Sequence, residues 1–369
     1  MSITANKGEH SETLVFLRIL HEGVVRVADK LGEPGKSRLK VAAIQRPSDP
    51  GMKFHIRDEM IHVVDIAGKE IAVVPRQAVK AIADNLYEQI VHSKGASFNC
   101  SASDDAFELL RLVGTKAAST VKSDLFLDVY SPVFEGEGVS LGFSVKSELG
   151  GLPTLLNAGA TQFQYRVEDF SVEDAMAVQE SAPRPAGKDY PGPMRLLPAL
   201  NNSRARVVFE SVVNPIFEQN LKMVDTTFPR ILASTLLQAY MRGDLSLEEA
   251  VECPALLDEL SNALSLPKPM VIRLVRHKMK ELLRQSALGM NPGRQWEGQI
   301  EAHGGWLIVK EDGSVVCFHV INDDDFRDYL LANTKFDTPS MSRHEAGYLY
   351  KQEGDIMARL RLSLQVRFK

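Results

Sequence analysis

Asp124 stands at the head of SDLFLDVYSP (123–132), and Lys146 lies near the end of SLGFSVKS (140–147). Both runs contain few breakers, and EGEG at 135–138 reads as the turn between them, so the pair predicts a hairpin. Neighbouring strands lie about 5 Å apart, which lets an acid and a lysine converge on one sheet edge. A carboxylate that holds Mg²⁺ beside a lysine that orients or activates a water is the minimal equipment for phosphodiester hydrolysis. A lysine at a strand end also reads as a solvated edge residue.

Further acids come from the N-terminus. Residues 8–22 predict a helix in which Asn6 is the N-cap, Glu9 completes a capping box, Leu14, Leu17 and Leu20 recur, and Gly23 ends the run. At about 100° per residue, Glu9, Glu12, Phe16 and Leu20 share one face. Two carboxylates thus continue an apolar stripe, and a buried acid needs a partner such as a metal or a lysine. Glu9 equally suits the cap, and the competing reading of Glu12 is an exposed first turn, where the helix dipole favours acids.

Cations gather in two places. In KPMVIRLVRHKMKELLRQ (268–285), Arg273, Arg276, Lys280 and Arg284 recur at helical spacing, while Val271, Val275, Met279 and Leu282 form another face. Such a helix can ride along phosphates or simply be solvated. In RLRLSLQVRFK, Leu360, Leu362, Leu364, Val366 and Phe368 alternate with Arg359, Arg361, Ser363, Gln365 and Arg367. A strand face of three arginines and a glutamine, with no acid, suits reading of base edges; a charge-protected edge strand has the same pattern.

The elements that must position these groups follow from the rest of the chain. Short strands are expected over 38–74 (VAAI, HIRDEMIHVVDI, EIAVV), with helices at 76–93 and around 103–113 and a strand at 160–170. Pro and Gly crowd 179–195, which reads as a long loop or boundary. Residues 204–286 read as mainly helical, and GGWLIVK, SVVCFHVI and RLRLSLQVRF return to strands. The expected fold is α/β (α+β): a mixed central sheet flanked by helices, a helical region and a C-terminal β region. The expected division is 1–178, 196–286 and 287–369, with one compact domain as the alternative.

Composition bounds the function. The 369 residues are 44% apolar and 25% charged, the balance of a soluble globular chain. No apolar run is long enough to span a bilayer, and the N-terminus lacks the pattern of a secretory signal. Cys100, Cys253 and Cys317 are scattered, which points to a reducing compartment, hence the cytoplasm, and away from zinc. A net charge of −5 does not exclude nucleic acid, because a local basic track suffices. There is no Walker A motif, Rossmann fingerprint, G-x-S-x-G elbow or H-E-x-x-H.

Several segments together resemble the HpaII-type family of type II restriction endonucleases: NKGEHSE (6–12), KSD (122–124), LGFSVKSELGGLPTLLNA (141–158) and SLQVRF (363–368). Blocks such as GGWLIVKEDGSVVCFHV and YLLANTKFDTPSMSRHEAGYLYKQEGD follow in order. The resemblance implies a restriction-endonuclease-like core similar to the PD-(D/E)XK nucleases and Mg²⁺-dependent cleavage of double-stranded DNA at a short palindrome, CCGG or similar. It also implies a cognate cytosine methyltransferase as genetic partner. Asp124 would match the metal-binding aspartate and Lys146 the motif lysine. Ser144 stands where an Asp or Glu is usual, so Glu12 or Glu9 is expected to complete the metal set, with Ser144 tuning the site by hydrogen bonding. Arg361, Gln365 and Arg367 are the expected readers. Asn157 would touch DNA or cap a turn, and Arg273, Arg276 and Lys280 would track the backbone. His10 replaces an aromatic and Ser363 an Asn of the family pattern, and the second change bears on the site that is read. A palindrome suits a homodimer, though a monomer nicking twice fits as well. The competing readings are a modification-dependent or repair nuclease and a DNA-binding protein without catalysis, which Ser144 in an acid's place would fit.

Overall fold

A computed structural model describes residues 3–95, 97–114, 123–130, 139–151, 153–319, 323–351 and 356–369. The fold is α+β, and the chain divides into two compact units, each assembled from two segments. The first comprises Met1–Pro153 with Ile300–Tyr329, the second Thr154–Gln299 with Leu330–Lys369. The expected breaks at 178, 196 and 286 fall inside the second unit.

The first unit is built on a mixed sheet. Its strands in spatial order are Val24–Ala28, Val315–His319, Gly305–Val309, Val139–Ser147, Leu125–Tyr130, Pro34–Gln45, Met52–Arg57, Met60–Asp65 and Glu70–Pro75. The long strand Pro34–Gln45 also pairs with Val24–Ala28, closing the first six into a ring. The Asp124 and Lys146 segments form the expected antiparallel pair, from Leu125↔Phe143 to Val129↔Val139. EGEG at 135–138 and residues 131–132 lie outside the described residues.

The first helix, Lys7–Glu22, follows its sequence signals closely. Asn6 accepts from the Glu9 N–H at 3.0 Å while the Glu9 carboxylate accepts from the Asn6 N–H at 3.0 Å. Gly23 closes the helix at φ +63°, a conformation that favours glycine. Leu14, Phe16, Leu17 and Leu20 are fully buried in the core with Phe54, Leu125, Leu127 and Phe143. Burying each such side chain contributes about 1.5–3 kcal/mol, so the helix is fixed in place by its apolar stripe. The helices Arg76–His92 and Ser101–Leu110 also match expectation within a few residues.

The second unit differs more from the sequence reading. Its four-stranded antiparallel sheet runs Arg206–Val212, Gln162–Glu168, Arg359–Ser363, Leu349–Tyr350. A three-stranded sheet joins Thr154–Leu156, Val366–Phe368 and Thr334–Phe336. Thus RLRLSLQVRF is two strands in two sheets. The switch falls at Leu364, whose N–H donates to the Thr161 carbonyl while its own carbonyl accepts from the Thr161 hydroxyl. Alternation continues through the switch, so periodicity alone reads it as one strand. The expected loop at 179–195 shrinks, because Val172–Ser181 and Pro193–Asn202 are helices, the latter with proline at its first position. Arg206–Val212 is a strand inside the region read as helical.

Candidate active site

The Asp124 and Lys146 groups meet through a hydrogen-bonded chain. The Lys146 ammonium donates to Ser144 Oγ at 3.1 Å, and the Ser144 hydroxyl donates to Asp124 Oδ2 at 3.1 Å. The same Asp124 oxygen accepts from the Val145 N–H at 2.7 Å, and the Asp124 N–H donates to the Phe143 carbonyl at 2.8 Å. Strand geometry accounts for this: Ser144 and Lys146 are two residues apart and share a face. Asp124 precedes the first paired residue, Leu125, so its side chain can fold across the strand beside it. Ser144 is only 6% exposed, whereas Asp124 and Lys146 are half-buried and reachable. The Ser144 hydroxyl links the two charged groups.

Glu12 belongs to the same electrostatic site. Its carboxyl is pushed up to about 8, first by burial and then by the negative charge of Asp124, with Lys146 opposing. The helix turn that carries it is tied to the Lys146 strand. Ser11 Oγ donates to the Lys7 carbonyl at 2.7 Å, which leaves it to accept from the Ser147 hydroxyl at 2.8 Å. Glu9 takes its capping role, and its charge also raises Glu12.

Two residues beside the site carry no motif. Arg46 is 5% exposed, pairs with Asp49 at 2.9 Å, lies over the rings of Phe16 and Phe107, and favours the charged form of Glu12. Trp306 is fully buried and holds its ring 5.3 Å from the Lys146 ammonium. Its strand lies parallel to the Lys146 strand with Trp306 opposite Ser144, a pairing between distant segments that local patterning does not reveal. Gly305, which starts that strand at φ +113°, has no room for a Cβ, since one would lie 1.9 Å from the Phe318 carbonyl oxygen. His10 is buried against Phe98 and joins Ser103 Oγ to the Phe98 carbonyl. Burial holds it below the ordinary histidine range.

Among the described residues, no three His, Cys, Asp or Glu side chains are clustered so as to hold a metal ion. The donor set nonetheless fits a divalent cation. A desolvated carboxyl whose ionisation is further opposed by the charge of a second one, Asp124, is the arrangement that a cation relieves.

The expected DNA-contacting residues all lie in the second unit. Arg359 pairs with Glu210 at 3.0 Å, and this bond holds the Glu210 carboxyl below its ordinary range. Arg367 lies 3.2 Å from Asp337. The arginine face read as free of acids therefore receives them from other segments. Arg361 stacks over Tyr350 at 5.0 Å, has no carboxylate partner among the described residues, and keeps a buried Nε without an acceptor. Gln365 sits half-buried between the two strands, and Asn157 is exposed just beyond Thr154–Leu156. On the helix Lys268–Leu288, Val271, Val275, Met279 and Leu282 are buried as expected. There Arg276 pairs with Glu252 and Lys278 with Asp225, Arg273 is exposed, and Lys280 is half-buried.

The profile of the HpaII restriction endonuclease family matches residues 6–368. The type II restriction enzyme HpaII of Haemophilus parainfluenzae is 29% identical over 368 residues, covering 99% of this chain and 98% of that protein. No solved structure matches significantly. No helix among the described residues is long and apolar enough to cross a membrane.

Proposed function

We propose that this chain, which belongs to the HpaII restriction endonuclease family and is a type II restriction endonuclease, cuts DNA at the Asp124–Ser144–Lys146 site with Glu12 as second metal-holding acid. The carrying observation is the chain from Lys146 Nζ through Ser144 Oγ to Asp124 Oδ2, beside a carboxyl whose ionisation is held back. Asp124 and Glu12 would hold the divalent ion, Mg²⁺ on this reading. When bound, it supplies Lewis acidity that offsets charge growing on the phosphate oxygens. Lys146 orients the attacking water and stabilises developing negative charge nearby. Ser144 fixes the ammonium through its hydroxyl, compensating for the missing acid by position rather than by charge. Glu9 caps the helix and acts on the site through its charge.

The reading strand contributes Arg361 first, because guanidinium forks match guanine O6 and N7 and this one has no competing carboxylate among the described residues. Gln365 and Arg367 flank it, with Asn157, Arg273, Arg276 and Lys280 as backbone contacts. A CCGG-like palindrome, a cognate methyltransferase, a homodimeric active form and a cytoplasmic setting complete the proposal. The three free, buried cysteines suit a reducing compartment. The test is a plasmid digest with Mg²⁺, with a chelator, and with CCGG-methylated DNA. Discrete fragments only from unmethylated DNA with the metal are expected, and cutting in chelator removes the metal from the reading.

A further inference from the structure

We propose that Trp306 is a positioning residue for Lys146, holding the ammonium where the cleavage chemistry needs it; this rests on the reading of Lys146 given above. Ser144 and Lys146 share one face of their strand, and Trp306 stands opposite Ser144 on the parallel neighbour. Residues paired across a sheet project to the same side, so the indole lies beside the path of the lysine stem. The ring is fully buried and braced by Phe326, with centroids 5.4 Å apart and planes at 67°. Its centroid is 5.3 Å from Lys146 Nζ, inside the range where a ring's negative face attracts a cation.

This second anchor differs in kind from the first. The bond to Ser144 uses one ammonium N–H, whereas attraction to the ring uses none. The hydroxyl and the ring both restrict a side chain that would otherwise sample many rotamers, and the ring does so without occupying a donor. A lysine stem lying over any apolar residue would be packed but not electrostatically steered.

The test separates steering from packing. Trp306→Leu is expected to slow single-turnover cleavage about 5–20-fold while leaving DNA affinity in Ca²⁺ unchanged, and Trp306→Phe to stay within about threefold of wild type. In a Lys146→Ala background, the difference between Phe and Leu should collapse to about one. The chain has two tryptophans, so fluorotryptophans in a Trp296→Phe background report on Trp306 alone without changing the packing. Cleavage should fall stepwise as fluorination weakens the ring's negative face. Equal rates for Phe and Leu, a Phe–Leu difference that survives in Lys146→Ala, or no trend with fluorination would overturn the proposal. If Lys146→Ala alone leaves cleavage unchanged, the functional reading of Lys146 fails instead.

Discussion

The acidic site of the first unit and the arginine strands of the second use charge in opposite ways. In the first, charged groups that lie far apart in sequence are wired to one another, and Glu12 remains incompletely compensated. In the second, most cations that look free in the sequence acquire an acid: Arg359 takes Glu210, Arg367 takes Asp337 and Arg276 takes Glu252. A residue's spacing thus tells which face it occupies, but not what waits there. Uncompensated charge is the better guide to chemistry than charge itself, since surface ion pairs contribute little and hold a group where it already is.

The strongest way to break this contrast is at its most connected point. Lys146→Ala is expected to slow cleavage at least about a hundredfold in single-turnover assays with Mg²⁺, with binding of the cognate duplex retained in Ca²⁺. Unchanged cleavage would reduce the hydrogen-bonded chain to a structural link.

A smaller effect sharpens the other side. Arg361→Ala should weaken cognate binding by about 1–3 kcal/mol and relax discrimination at one base pair, while Arg367→Ala costs less because Asp337 already engages that guanidinium. Competition binding against single-substituted duplexes measures both. Equal losses would mean that the ion pair opens on DNA and that compensation in the free protein is no guide.

The smallest effects concern Glu12 and pH. Its folded value near 8 lies above the ordinary carboxylate range, so between about 4.5 and 8 the native state holds the extra proton. Stability of the metal-free protein should therefore fall as pH rises through that window. Glu12→Gln, a neutral mimic, should remove the fall and be more stable than wild type at pH 9 by on the order of 1–2 kcal/mol, as chemical denaturation would show. Because a metal must displace that proton, Mn²⁺ affinity of the wild type should rise up to about tenfold per pH unit and level off near pH 8. A flat profile would detach Glu12 from the metal.

Much of the first unit was legible because its signals are local. Asn6, Glu9 and Gly23 delimit the first helix, Leu14, Leu17 and Leu20 give its buried face, and Leu125–Val129 pairs with Val139–Phe143 within the segments read as strands. Trp306 and Arg46 were not legible, since one arrives by parallel pairing with a distant segment and the other by burial among Phe16, Phe107 and Asp49. In the second unit, Arg206–Val212 carries three valines and a phenylalanine, a strand-favouring composition masked by the helical stretch around it. The C-terminal run misled because its alternation continues unbroken while its partners change at Leu364.

The order of synthesis gives the interleaved connectivity a further meaning. The Lys146 strand lacks its neighbour Gly305–Val309 until the whole Thr154–Gln299 segment has left the ribosome. A nascent chain therefore carries the acids and the lysine long before the tryptophan that seats beside them. Truncation before residue 305 should yield not a smaller nuclease but a sheet with an open edge, prone to pair with other chains.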